Sequence, residues 1–295
     1  MPVYAHLTFR IHHTPAYPSL LARWTTFVLI GFLLLTAQGC TDLKAIQDFA
    51  ALSADSAEYT TLVNDYIESP QRQKRYQPES RHTKLEQMVQ ERADQKSTLL
   101  IRHAVIEQYM ATLGALAADE VVDNTAELSK LTTALTKQAG ANPKETEAFG
   151  KMAGILTKVA SDRWRQRELR DLIEQSNEPV QQILGNLRQI VAEGFMEDLE
   201  TEQAALRNYY TTLTMESTDP AGKAALLEWQ EYRSSQIGGR REAIRNYATL
   251  LQTIATEHQQ LYDQRQDLTS PNLLKQVGKT VKDLKKLLSL VKQAS

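Results

Sequence analysis

The sequence predicts an all-α protein, an elongated antiparallel bundle of about five to seven long helices with coiled-coil-like packing. Three observations carry this expectation. Twelve glycines and nine prolines in 295 residues are too few for the turns of a β sandwich or barrel, and Ala, Leu, Gln, Glu, Lys and Arg fill most of the chain. Apolar residues recur at three- and four-residue steps over stretches much longer than an average globular helix. The stripes are narrow and aromatic residues make up only 7%, so such helices bury themselves best by lying side by side. No repeat of fixed period is visible, which argues against a tetratricopeptide or HEAT solenoid.

The first 39 residues stand apart from the rest. They hold Arg10 and Arg23 and no acidic residue, then an apolar run from Trp24 to Ala37, then Gln38, Gly39 and Cys40. A positive segment, an apolar segment and a small-residue cleavage site make a signal peptide. The stretch from Leu35 to Cys40, reading Leu-Thr-Ala-Gln-Gly-Cys, resembles the lipobox of bacterial lipoproteins. The resemblance implies cleavage after Gly39, acylation of Cys40, and membrane attachment through the lipidated Cys40. Cys40 is the only thiol in the chain. Thr41 in the next position implies, by the same resemblance, an outer-membrane address facing the periplasm. The other reading is an uncleaved signal anchor, because an apolar run of about 18 residues is the lower edge for a membrane span. Both readings tether the chain to a membrane.

The remaining chain divides into residues 40–68 as anchor and first helix, 69–82 as a basic Pro-containing loop, 83–269 as the long-helix bundle, and 270–295 as a basic amphipathic helix. The first helix is expected from Asp42 to Ile67, with Leu43, Ile46, Phe49, Tyr59, Leu62 and Tyr66 on its apolar face. A second runs from about Thr83 to Ala118, solvated on most sides over residues 90–97. Asp123 to Thr125 caps a third, striped by Leu128, Leu131 and Leu135 and ended near Gly140. A fourth carries Phe149, Met152, Leu156 and Val159 and continues to Leu169, Leu172 and Ile173. Pro179 starts or kinks the next stripe, which lasts from Val180 to Leu213. Thr218, Asp219 and Pro220 restart the helix that carries Leu227, Ile244, Leu251, Ile254 and Leu261, with Gly238 and Gly239 marking a break or a close contact. After Ser270 and Pro271, Leu273, Val277, Val281, Leu284, Leu288 and Val291 form a heptad seam.

Most chemistries are excluded. The two Glu-x-x-His motifs that a di-iron site needs do not both occur, and there is no His-Glu-x-x-His, no Walker loop, no Gly-x-Ser-x-Gly and no Cys and His dyad. His103 and Glu107 share a helical face, but two ligands do not make a metal site. No cofactor, metal site or catalytic residue is expected. A net charge of -2 gives no global field for nucleic acid. Three basic regions remain. Arg72, Lys74, Arg75, Arg81 and Lys84 surround the prolines of the first loop. Arg163, Arg167 and Arg170 fall along one face of the fourth helix, as a salt-bridge ladder or an anionic ligand site. The last helix carries six lysines, from Lys275 to Lys292, against Asp283; it either lies on a membrane surface or closes the bundle. The sequence therefore predicts no enzyme. It predicts a lipid-anchored periplasmic scaffold or adaptor, touching another envelope protein or a copy of itself. The alternative is a binding module for an anionic lipid or polymer through the basic helix and loop surfaces.

Overall fold

The computed structural model describes residues 43–55, 57–122, 131 and 143–294. The expected cleavage site at Gly39, Cys40, and the predicted helix over 123–138 apart from Leu131 lie outside the described residues. Every regular element among the described residues is helical. They are α1 (Lys44–Ser53), α2 (Ala57–Gln73), α3 (His82–Ala117), α4 (Pro143–Ser161), α5 (Leu169–Gln189), α6 (Met196–Glu216), α7 (Pro220–Asp263) and α8 (Pro271–Ala294). A π-helical turn, Ile190–Phe195, joins α5 to α6 without interrupting the rod.

Hydrogen bonds and contacts fix the directions of packing. On α5–α6 and α7 residue numbers rise on one rod as they fall on the other: Asn177 bonds Gln259, Gln181 bonds the Ala255 carbonyl and Gln203 bonds Ser234. These rods are antiparallel. α1 and α2 run antiparallel to α3, since Ala50 lies against Gly114 and Tyr59 stacks on His103. α3 is parallel to α7, through His103 with Tyr247 and Tyr109 with His258. α8 folds back on α7 after a single 3-10 turn at Arg265–Asp267. Leu43, the end of α3 and the α7–α8 turn therefore share one end of this unit, and the α6–α7 turn lies at the other. At 1.5 Å per residue the 44 residues of α7 separate those ends by about 66 Å.

The core is aliphatic with a few aromatic rings, and the α8 seam is buried at all six expected positions. Asp219 caps α7 as its sequence implies: its carboxylate accepts from the backbone N–H groups of Ala221 at 3.2 Å and Gly222 at 2.7 Å, with Pro220 in the first turn. Gly238 and Gly239 leave α7 unbroken. A Cβ on Gly239 would sit 3.0 Å from the Ala294 carbonyl oxygen, so that glycine serves a close contact with the end of α8.

Three expectations are corrected. The first helix is two, because the chain turns at Ala54 and Asp55. The basic loop begins late: α2 runs through Pro70 to Gln73, and 3-10 turns at Lys74–Tyr76 and Glu79–Arg81 follow. Pro70 is buried there, so packing of the α2 end outweighs the lost backbone bond. The fourth helix stops at Ser161, where Arg163 takes a left-handed φ of 50° and Trp164 turns inward. Of the two expected places for Pro179, the structure has the second: it sits inside α5, which continues through it.

Candidate functional site: an internal ion network and an exposed arm

Where α2, α3, α6 and α7 meet, three guanidinium groups face three carboxylates. Arg72, expected on a solvated loop, points inward because α2 persists past Pro70. Its Nε and Nη2 each donate to Glu202 at 2.9 Å, and its Nη1 donates to the Asp65 carbonyl at 3.0 Å. Arg240 from α7 reaches the same two acids, at 3.1 Å from Asp65 and 3.5 Å from Glu202. Arg92, buried in the otherwise solvated stretch of α3, donates to Asp198 at 2.5 Å and to the Tyr66 carbonyl at 2.8 Å, with its guanidinium over the Tyr66 ring. Burial raises the Asp65 carboxyl above the usual range despite Arg72 and Arg240. Burial opposes charge on Arg72 as well, but its bond to Glu202 and the nearby acids outweigh this and raise its pKa. As built, each cation has its carboxylate, and the network stitches four helices together.

A second polar set clamps α3 to α7 reciprocally. His103 of α3 meets the Tyr247 hydroxyl of α7 at 2.8 Å, and Tyr109 of α3 meets His258 of α7 at 2.5 Å. Around His258 the bonds assign the tautomer: Nδ1–H donates to the Asn177 side-chain oxygen at 3.1 Å, so Nε2 accepts from the Tyr109 hydroxyl, which accepts in turn from Ser176 at 2.9 Å. Burial lowers the pKa of His103 to about 4 and that of His258 to about 3. Both rings are neutral at ordinary pH. His103 is thus engaged by Tyr247 and Tyr59. Among the described residues no three His, Cys, Asp or Glu side chains are grouped to hold a metal ion.

The other basic residues do not gather into one site. Lys74 pairs with Glu86 at 2.6 Å, while Arg75, Arg81 and Lys84 are exposed. Arg163, Arg167 and Arg170 do not share a helical face, which corrects the expected row: the chain between them is a turn, a 3-10 segment and the start of α5. Arg167 bonds the adjacent Glu168, and Arg170 bonds the adjacent Asp171 at 3.1 Å, so two of the three already hold a neighbouring acid. The mixed charge beside them fits no single anion.

The surface that sequence reasoning missed is the α6–α7 hairpin. Between Tyr210 on α6 and Ile237 on α7 no residue is buried, yet both helices persist. This arm exposes Met215 (80%), Trp229 (60%), Tyr232 (59%) and Leu227 (54%). Leu227 was expected on the buried stripe. At the root of the arm a groove of about 460 Å³ is lined by Tyr76, Pro78, Tyr209, Thr212 and Leu213. A signal was present in the sequence: from Leu227 to Ile237 the apolar spacing lapses while Trp229 and Tyr232 stand among Glu, Gln, Ser and Arg.

Neither protein families, nor curated proteins, nor solved structures include a match to this chain.

Proposed function

We propose that the chain is a lipid-anchored helical scaffold or adaptor of the bacterial cell envelope, on the outer membrane facing the periplasm, and that it works by protein–protein contact and not by catalysis. The observation that carries this reading is the arm, a two-helix projection that leaves Trp229, Tyr232, Leu227 and Met215 in solvent. Exposed aromatic side chains clustered on rigid helices are what interfaces use as anchors, because little side-chain entropy is lost on contact. Supporting the anchor is Cys40 in its lipobox-like setting, three residues along the sequence before Leu43, which itself lies at the end of the bundle opposite the arm. The length of α7 then gives the arm reach.

A photo-crosslinking residue in place of Trp229 or Tyr232, in the native envelope, is expected to give a discrete protein adduct. The same residue in place of Lys158, an exposed position on α4, is expected to give none. Adducts from α4 and none from the arm overturn the assignment of the surface. For the anchor, a fatty-acid probe is expected to label the wild type and not Cys40→Ala; equal labelling overturns it.

A further inference from the structure

Helix α8 carries two stripes. Its apolar seam is buried from Leu273 to Val291. At 3.6 residues per turn, Lys275, Lys279, Lys282 and Lys286 fall on the side directly opposite that seam, and all four are exposed. Their steps of four, three and four residues string four ammonium groups along about 17 Å. Lys285 flanks the row and is exposed too. None of the five has an ion-pair partner among the described residues, and Asp283 is the only acid on the helix. Nearby carboxylates are committed elsewhere: Glu257 takes the Thr280 hydroxyl at 2.5 Å and Glu58 takes Lys292 at 3.5 Å. Interior cations such as Arg72, Arg92, Arg102 and Arg240 are each matched to an acid. This row is left open.

We infer that the lysine row of α8 is a docking face for an anionic bilayer, binding phosphate headgroups along its length. A straight row of one sign, on a helix with no cavity or aromatic wall beside it among the described residues, fits a plane of phosphates better than a single ligand. Insertion of the helix is excluded because its apolar seam is already covered by α7 and α1, so the attachment is electrostatic and confined to headgroups. Position supports the same occupant. α8 packs against α1 and starts at the end of the bundle where Leu43 lies, three residues after Cys40. The inference rests on the lipid-anchor reading: an acyl group and a basic patch in one chain are the two signals that together hold a peripheral protein firmly. Contact along this flank lays the bundle on the leaflet, with the arm reaching away from the anchor.

The test uses the lipidated chain mixed with phosphatidylcholine vesicles, with or without one-third phosphatidylglycerol, and a membrane-impermeant acetylating reagent read by mass spectrometry. Phosphatidylglycerol is expected to slow acetylation of Lys275, Lys279, Lys282 and Lys286 by about fivefold or more at low salt, to leave Lys223 on the arm unchanged, and to lose this effect in high salt. In a K275Q/K279Q/K282Q/K286Q variant of unchanged helicity, the protection of Lys285 is expected to vanish. Equal acetylation on both vesicles overturns the inference, as does protection by an acidic protein with none by phosphatidylglycerol. Flotation with phosphatidylcholine alone reports the acyl anchor separately. A chain that fails to float there but is protected on phosphatidylglycerol loses the anchor and keeps the lysine face.

Discussion

The two halves of α7 are one uninterrupted helix with opposite fates. From Ile237 to Leu261 it buries eleven side chains, including Tyr247 and His258. From Pro220 to Gln236 it buries none. Both halves are rich in good helix formers, so propensity and the Asp219 cap are enough to keep the outer half helical where α6 is the helix packed along it. The difference teaches that helix formation and burial are separate decisions here. The inner half is held by its neighbours; the outer half is held by its own backbone and a single partner helix, and its apolar residues remain free for other contacts.

The comparison is broken most severely from inside. Glu202→Ala leaves Arg72 and Arg240 short of their shared carboxylate, and should cost about 3–5 kcal/mol in urea unfolding. A residual stability within 1 kcal/mol of wild type would show the network to be hydrated and dispensable. Acid acts on the same inner half. His103 and His258 have folded pKa values of about 4 and about 3, below the unfolded value of 6.5. The unfolded chain therefore binds their protons first, and the stability they contribute is full above pH 6.5 and lost as pH falls toward 4 and 3. Between pH 7 and pH 5 the loss is on the order of 2 kcal/mol for each histidine. Asp65, whose carboxyl is raised by burial, contributes in the opposite sense, gaining stability as acid protonates it in the folded chain first. Thermal melts across that range, with His258→Gln beside the wild type, check the sign.

Smaller effects sharpen the boundary. Adjacent glycines of α7 should answer differently to alanine. Gly238→Ala meets nothing within 4 Å and should gain up to about 1 kcal/mol from helix propensity, whereas Gly239→Ala meets the Ala294 carbonyl at 3.0 Å and should lose that gain. Equal melting temperatures would mean that the α8 terminus yields freely. Smallest of all, Trp229→Ala and Tyr232→Ala should each change stability by less than about 0.5 kcal/mol while reducing crosslinking through the arm. A larger loss of stability would make the aromatic face part of the fold.

The α8 seam was legible because a heptad pattern needs only one facing surface to be satisfied, and all six residues are buried. The α7 start was legible because Asp219 and Pro220 act on their own backbone. Pro70 misled because an internal proline ends a helix only when packing does not compensate. The arginines from Arg163 to Arg170 misled because their spacing is helical, while the inward turn of Trp164 ends the helix ahead of them. Arg72 looked solvated because its acid, Glu202, lies 130 residues away.

By itself the sequence determined what is local: an all-helical chain, the Asp219 cap of α7, the heptad of its last helix, and the charge stripe opposite that heptad. Each follows from spacing along one segment and the 3.6-residue period. Only the tertiary structure decided which cations are buried and paired, which histidines meet which tyrosines, and which stretch of helix stands uncovered. Those outcomes depend on the length and direction of neighbouring helices, and burial is a property of the neighbours and not of the residue.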